Sequence, residues 1–295
     1  MKINKNGRLY IVATPIGNLG DISARALQTL QNVDFIAAED TRVTGVLLTR
    51  FGIKTPMIPY HKFNEKGMTC GILSRMLDGQ TCALVTDAGT PGISDPGAHI
   101  TETAAAAGVD ITVVPGPSAV AAALSLSGFA EDTYAFYGFI GKGASGRRAL
   151  RDACTQGPPL AVFFESPHRI LDTVKTLADL CPGAAIVLCN DLTKKFEAVY
   201  RGTPAAVLAA LQANPNAHKG EYTLVVNSNR QNEVVTQEES QGLSQKISIE
   251  AQLVDICVSR GLTIRDAMAA LRDESQGKLA KKDIYAASLR LKSML

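Results

Sequence analysis

Cys82-Ala83-Leu84-Val85-Thr86-Asp87-Ala88-Gly89-Thr90-Pro91-Gly92-Ile93-Ser94-Asp95-Pro96-Gly97 is the stretch on which the fold turns. Its first five residues form a short apolar run of buried-strand length. The next eleven hold three glycines and two prolines, so neither a helix nor a strand can run through them. Helical spacing returns over 98–107, and 111–114 is a second apolar run. Strand, stiffened loop, helix, strand is the βαβ unit of a mainly parallel sheet.

The same alternation extends in both directions. Upstream, 9–13 and 33–38 read as strands, and 43–51 as a helix. Residues 22–30 place Ile22, Ala26, Leu27 and Leu30 on one helical face, with Asp21 as the expected N-cap. Downstream, 134–139, 160–164, 185–189 and 222–226 are strand candidates, and 148–154, 169–180 and 204–213 helix candidates. The end of this series leaves room for antiparallel strands. Residues 227–245, rich in Asn, Gln, Ser and Glu, read as a linker. Beyond them, 249–259, 263–271 and 281–291 are helical, with Thr263 and Asp266 spaced like a capping box. The expected organisation is an α/β domain over 1–118, a second over 119–228, a linker over 229–246 and a helical module over 247–295.

Composition narrows the classes. In 295 residues, 46% are hydrophobic and 20% charged, enough for a packed core. A net charge of +2 means that any nucleic-acid contact must come from local clusters. Six scattered cysteines without a C-x-x-C pair, and four dispersed histidines, fit reduced thiols in a cytoplasmic compartment and no metal site. The polar start at 1–8 reads as no signal peptide. The most apolar stretch, 111–130, is broken by Pro115-Gly116-Pro117, which excludes a membrane span.

Three glycine- and proline-bearing loops follow strands directly: Thr14-Pro15-Ile16-Gly17-Asn18-Leu19, the loop 87–97, and Pro115-Gly116-Pro117-Ser118-Ala119. Ligands of open α/β sheets sit beyond the carboxyl ends of strands, so three such loops in one half point to a binding crevice. Asp87 and Asp95 either meet a cationic ligand there or cap the loop; sequence leaves both readings open. Gly141-Lys142-Gly143-Ala144-Ser145-Gly146 fits the dinucleotide fingerprint, with Glu165 near the acidic offset. That supports a competing reading as a nicotinamide-dependent oxidoreductase.

The three loops, together with Ala38-Glu39-Asp40-Thr41-Arg42, Glu165-Ser166-Pro167-His168-Arg169 and Lys219-Gly220-Glu221, occur in an order that resembles one family. It is the small-subunit ribosomal RNA cytidine 2′-O-methyltransferases, a branch of the tetrapyrrole methylases. The resemblance implies a two-domain tetrapyrrole-methylase-like α/β fold. It pairs a mainly parallel sheet with a mixed one, and the small helical module follows. S-adenosyl-L-methionine would lie in the cleft between the two domains, against Pro15, Asp87, Gly89, Thr90, Pro91, Asp95, Ser118 and Ala119 from the first. Phe164, Glu165, Gly220 and Glu221 would approach from the second. The substrate would be a cytidine ribose of 16S ribosomal RNA in the small subunit, and the enzyme a homodimer. Two departures stand out: Ala13 replaces a usual proline, and Asn190-Asp191 a usual Arg-Glu pair.

A neutral ribose hydroxyl needs a proton acceptor, for which Glu39, Asp40, His61, Glu165 and His168 are candidates. Arg42 and Arg169 are candidates for RNA phosphate, and Arg42 equally for an internal pair with Asp40 or Glu39. The clusters Lys142, Arg147, Arg148, Arg151 and Lys278, Lys281, Lys282, Arg290, Lys292 read as further phosphate contacts. Macrocycle methylation on the same fold, and RNA binding without catalysis, are the remaining alternatives.

Overall fold

The computed structural model describes residues 7–228, 248–275 and 279–294. The expected linker, Lys278 and the Lys292 side chain lie outside the described residues. The chain divides into two units, Met1–Asn232 and Glu233–Leu295.

The first unit opens with five strands: β1 (Arg8–Val12), β2 (Phe35–Ala38), β3 (Met57–Pro59), β4 (Cys82–Val85) and β5 (Asp110–Val114). Helices α1 (Ala24–Asn32), α2 (Thr41–Arg50), α3 (Glu65–Leu77) and α4 (Ala98–Ala106) connect them. All pairings are parallel, in the order β3-β2-β4-β1-β5. Burial on both faces explains why the central strands are unbroken apolar runs. Leu9, Phe35, Ala37 and Leu84 pack on one face, and Val12, Ile36, Ala38 and Val85 on the other, with the strand period of two.

The second series begins with α5 (Ala119–Ser127) and continues β6 (Tyr134–Phe139), α6 (Gly143–Thr155), β7 (Leu160–Glu165), α7 (Ile170–Leu180), β8 (Ala185–Asn190), β9 (Ala198–Gly202), α8 (Pro204–Ala213) and β10 (Tyr222–Asn227). Its sheet order is β6-β7-β10-β8-β9, parallel between β6 and β7 and antiparallel elsewhere. α6, α7 and α8 cover one face through Leu150, Val174 and Leu211. α5 covers the other, with Val120 and Ala123 against Val162, Val187 and Val225.

Three sequence expectations are corrected here. Asp21 lies in a 3₁₀ turn, Leu19–Asp21, and Ser23 caps α1 by accepting from the Ala26 N–H at 3.1 Å. α6 starts at Gly143, five residues before the expected start, so Arg147, Arg148 and Arg151 lie along a helix. The strands β3 and β9 and helix α3 had no counterpart in the sequence reading: Pro56 precedes and Pro59 ends the three-residue β3, β9 is a partly exposed edge strand, and Gly67 and Gly71 interrupt the helix's apolar period.

The second unit holds α9 (Ile249–Arg260), α10 (Ile264–Glu274) and α11 (Lys281–Met294) around Leu253, Ile256, Ala267, Leu271, Ile284 and Ala287. Thr263 caps α10, its hydroxyl accepting from the Asp266 N–H at 3.3 Å and bonding the Asp266 carboxylate at 2.6 Å. Arg290 ties α11 to Glu250 of α9 at 2.6 Å.

Candidate functional site

Strand order brings the three stiffened loops together. β4, β1 and β5 are neighbours, so the loops leaving their carboxyl ends emerge side by side. Thr14 and Gly89 exchange two backbone hydrogen bonds of 2.9 and 3.1 Å. The Thr14 hydroxyl donates to the Thr86 carbonyl at 3.0 Å, and that of Thr90 to the Pro117 carbonyl at 3.4 Å. The crevice wall is thereby fixed before any ligand arrives.

A cavity of about 420 Å³ lies over these loops and is closed by the second sheet. Such a volume falls within the usual range for a small-molecule site. The first lobe lines it with Ile16, Glu39, Asp87, Gly89, Thr90, Ile93, Asp95, Ser118, Ala119 and Val120. The second contributes Phe139, Phe164, Glu165, Leu192, Glu221, Tyr222 and Thr223. The lobes meet where the Asn18 N–H donates to the Thr193 hydroxyl at 3.0 Å. A side chain on Gly17 would run into the Leu192 carbonyl at 2.6 Å, so this contact requires glycine.

The lining is acidic. It carries five carboxylates, Glu39, Asp87, Asp95, Glu165 and Glu221, and no lysine, arginine or histidine. Glu39 and Asp87 are held reciprocally: Asp87 accepts from the Asp40 N–H at 3.1 Å, and Glu39 from the Asp87 N–H at 3.3 Å. Burial raises the Glu39 carboxyl above its ordinary value; the hydrogen bond from the Asp87 N–H opposes the shift, and the Asp87 charge adds to it. Asp87 is itself raised, chiefly by burial. Asp95 is pushed up to about 6, by burial first and then by the charges of Glu39 and Asp87.

The other two carboxylates are neutralised from outside the cavity. Glu165, 2% exposed at the end of β7, accepts from the Ser166 N–H and the Thr173 hydroxyl, each at 2.7 Å. Arg169 pairs with it at 2.7 Å. Glu221 pairs with Lys194 at 2.9 Å, and the same ammonium contacts Asp191 at 2.8 Å. Burial pulls the Lys194 ammonium down, and the two carboxylates more than offset this, so it is raised overall. A Cβ on Gly220, whose φ is +83°, would collide with the Asp191 carboxylate. Asp191 therefore braces the turn that presents Glu221, and neighbouring Asn190 donates to the Lys219 carbonyl at 3.3 Å.

Not every residue singled out in the sequence reaches the cavity. Pro15, Pro91 and Gly220 shape loops beside it without lining it. Asp40 caps α2 and grips Arg42 at 2.6 Å, which holds its carboxyl down at about 2. His61 stands next to Glu39, outside the lining, with a buried Nδ1 that has no hydrogen-bond partner among the described residues. His168 is exposed in the turn after β7. Conversely, Ile16, Ile93 and Leu192 were missed, although apolar residues inside glycine-proline or polar loops are a readable signal of a lined pocket.

The expected phosphate contacts also divide. Arg169 bonds internally to Glu165 and, at 2.8 Å, to the Ile140 carbonyl, partners that the sequence reading did not assign it. Arg42 takes the internal alternative, on Asp40. Arg147 approaches Asp179 at 4.0 Å and Arg148 approaches Asp152 at 3.8 Å, both on exposed surface. Lys142, Lys281 and Lys282 are exposed. The segment 141–146 does not line the cavity, and a Cβ on Gly146 would strike the Gly141 carbonyl, so the turn is closed on itself. Among the described residues no group of three or more potential metal ligands occurs, and no helix is long and apolar enough to cross a membrane.

Comparison with known proteins finds relatives over most of the chain. The Ribosomal RNA small subunit methyltransferase I of Synechocystis sp. is 39% identical over 97% of this chain and 99% of its own length. The protein of the same name from Escherichia coli O157:H7 is 42% identical over 78% of this chain and 81% of its own. Among solved structures, cobalt precorrin-4 methyltransferase superposes with a TM-score of 0.57 at 20% identity, covering 77% of this chain and 97% of that one. Uroporphyrin-III C-methyltransferase from Thermus thermophilus, complexed with S-adenyl homocysteine, gives 0.54 at 17% identity, over 75% and 97%. These two establish the fold. The model of the tetrapyrrole (corrin/porphyrin) methylases matches residues 8–207, and the chain belongs to that family.

Proposed function

We propose that this chain transfers a methyl group from S-adenosylmethionine to the ribose 2′-hydroxyl of a cytidine in small-subunit ribosomal RNA, as a cytoplasmic homodimer. The observation that carries the reading is the sign of the cavity. With Glu165 and Glu221 each paired to a cation outside the lining, the unpaired negative charge of the wall comes from Glu39, Asp87 and Asp95. A sulfonium and an ammonium are favoured there, whereas an acidic macrocycle or a pyrophosphate is repelled. Ile16, Ile93, Phe139, Phe164 and Leu192 supply the apolar area that an adenosine ring system needs. The two relatives described above carry a ribosomal RNA methyltransferase name, which supports the acceptor class.

The bound donor supplies an activated methyl on a good neutral leaving group. The protein's own task is alignment: the stitched loops fix one wall, and Gly17 against Leu192 fixes the other lobe to it. Of the five proton-acceptor candidates only Glu39 and Glu165 line the cavity. Both Glu165 oxygens are committed, one to Ser166 and Arg169 and the other to Thr173. That leaves Glu39 to accept the hydroxyl proton, and its raised pKa makes it a stronger base than an ordinary carboxylate. The test is transfer of labelled methyl to small ribosomal subunits from a strain lacking the modification. Label on a ribose confirms the proposal; label only on a precorrin-type macrocycle, or none on RNA, refutes it.

Donor affinity should depend on pH through Asp95. Its pKa rises from an ordinary 3.8 to about 6 in the fold, so the ionised form is penalised in the free protein. The penalty is absent below about 4 and fully present above 6. A cation bound beside Asp95 favours the ionised form, so binding expels a proton. Affinity therefore falls as pH drops below 6, by up to about tenfold per unit, and is level above. Calorimetry at pH 5 and pH 7.5 measures this. A pH-independent affinity would remove Asp95 from contact with the donor.

A further inference from the structure

Two phenylalanines stand out of the surface in turns that adjoin cavity-lining residues. Phe63 is 96% exposed in the turn after β3, and Phe196 is 76% exposed in the turn after β8. Exposed lysines flank both: Lys62 and Lys66 near the first, Lys195 beside the second, its Nζ 5.4 Å from the Phe196 ring centroid. Neither ring is on a loose tip. His61 donates its N–H to the Asn64 side chain at 2.8 Å, and that amide donates to the Pro59 carbonyl at 3.1 Å. In the other turn the Thr193 N–H donates to the Glu197 carboxylate at 2.6 Å, which folds that acid back and leaves Lys195 as the charge beside the ring.

Both turns belong to the rim of the site. β3 pairs in parallel with β2, with Pro59 opposite Ala38, so the turn after it lies at the same carboxyl edge of the sheet as Glu39. In the second turn, Leu192 lines the cavity and touches Gly17 of the loop after β1. β3 and β1 are three strand spacings apart in the first sheet, about 14 Å, so the two turns approach different parts of its carboxyl edge.

We infer that Phe63 and Phe196 are stacking platforms for unpaired bases on either side of the target nucleotide, so that the acceptor is single-stranded RNA. A phenylalanine face with lysine beside it is the arrangement that holds single strands through base stacking and phosphate attraction. The charge distribution sets the direction: lysines outside hold phosphate at the rim, and carboxylates inside repel it, so only an uncharged ribose and base can enter. A helical RNA keeps its bases stacked on each other and has none to offer the rings.

The inference rests on the proposed methyl transfer, and one set of assays separates the two. Phe63→Ala, Phe196→Ala and the double variant are compared with Phe→Tyr at each site, which keeps a stacking face. The readouts are binding of a fluorescent single-stranded oligocytidylate and of a duplex of equal length, KM and kcat for small ribosomal subunits, and donor affinity by calorimetry. Each Ala change should weaken oligomer binding by about tenfold and raise KM similarly, with donor affinity intact and Tyr close to wild type. Unchanged oligomer affinity in the double variant overturns the inference. So does preferential duplex binding by the wild type, or a shift of oligomeric state in light scattering without loss of RNA affinity, which would place the rings under a second copy of the chain. Absence of ribosomal RNA methylation by the wild type overturns the underlying reaction instead.

Discussion

Glu165→Ala is expected to lower the stability of the first unit by about 3–5 kcal/mol, the loss usual when one partner of a buried ion pair is removed. The carboxylate is buried, and three donors converge on it: the Ser166 N–H, the Thr173 hydroxyl and the Arg169 guanidinium, each at 2.7 Å. Deleting it strands a nearly buried hydroxyl and a guanidinium that remains fixed to the Ile140 carbonyl. Arg42→Ala is the contrasting case. Its pair with Asp40 is shorter, but the arginine side chain is 89% exposed, and solvent screens such pairs to near nothing. Because the chain has no tryptophan, urea unfolding followed by circular dichroism is the suitable measurement. A loss below about 1 kcal/mol for Glu165→Ala would show that water reaches the site and that the carboxylate is not structurally committed. Glu165 would then return as a rival proton acceptor.

The fold was legible because burial writes itself into sequence. Phe35–Ala38 and Cys82–Val85 are apolar throughout since helices cover both faces, and Leu160–Glu165 and Tyr222–Asn227 are nearly so. β3 was hidden for the opposite reason: three half-exposed residues at a sheet edge, ended by Pro59, carry no pattern. The loops were legible too, since glycine and proline mark where backbone must approach a ligand. Which carboxylates were available was not. Glu39, Asp40 and Glu165 look alike as acids in motifs, and only their partners distinguish an N-cap, a buried structural anchor and a cavity wall. Arg169 shows the same limit: its internal partner Glu165 sits four residues away in sequence, but the Ile140 carbonyl that fixes its other end lies 29 residues upstream.

Glu39→Gln follows from that distinction and is expected to reduce kcat by about 10²–10⁴, the range for loss of a general base, and to weaken donor binding by a much smaller factor, since Asp87 and Asp95 still carry the wall's negative charge. The amide keeps the size of the carboxylate and an oxygen to accept the Asp87 N–H at 3.3 Å, so the wall holds its shape. What it cannot do is take a proton. It also removes a negative charge from beside Asp95, which relieves part of the shift that holds that carboxyl at about 6. The pH dependence of donor binding should therefore move to lower pH in the variant, a second signature independent of catalysis. Single-turnover transfer with saturating donor and ribosomal subunits isolates the chemical step. If the rate survives while the binding profile shifts, Glu39 acts only through the electrostatics of the wall, and the proton must leave by another route, for which the adjacent His61, with its unpartnered Nδ1, is the group to change next.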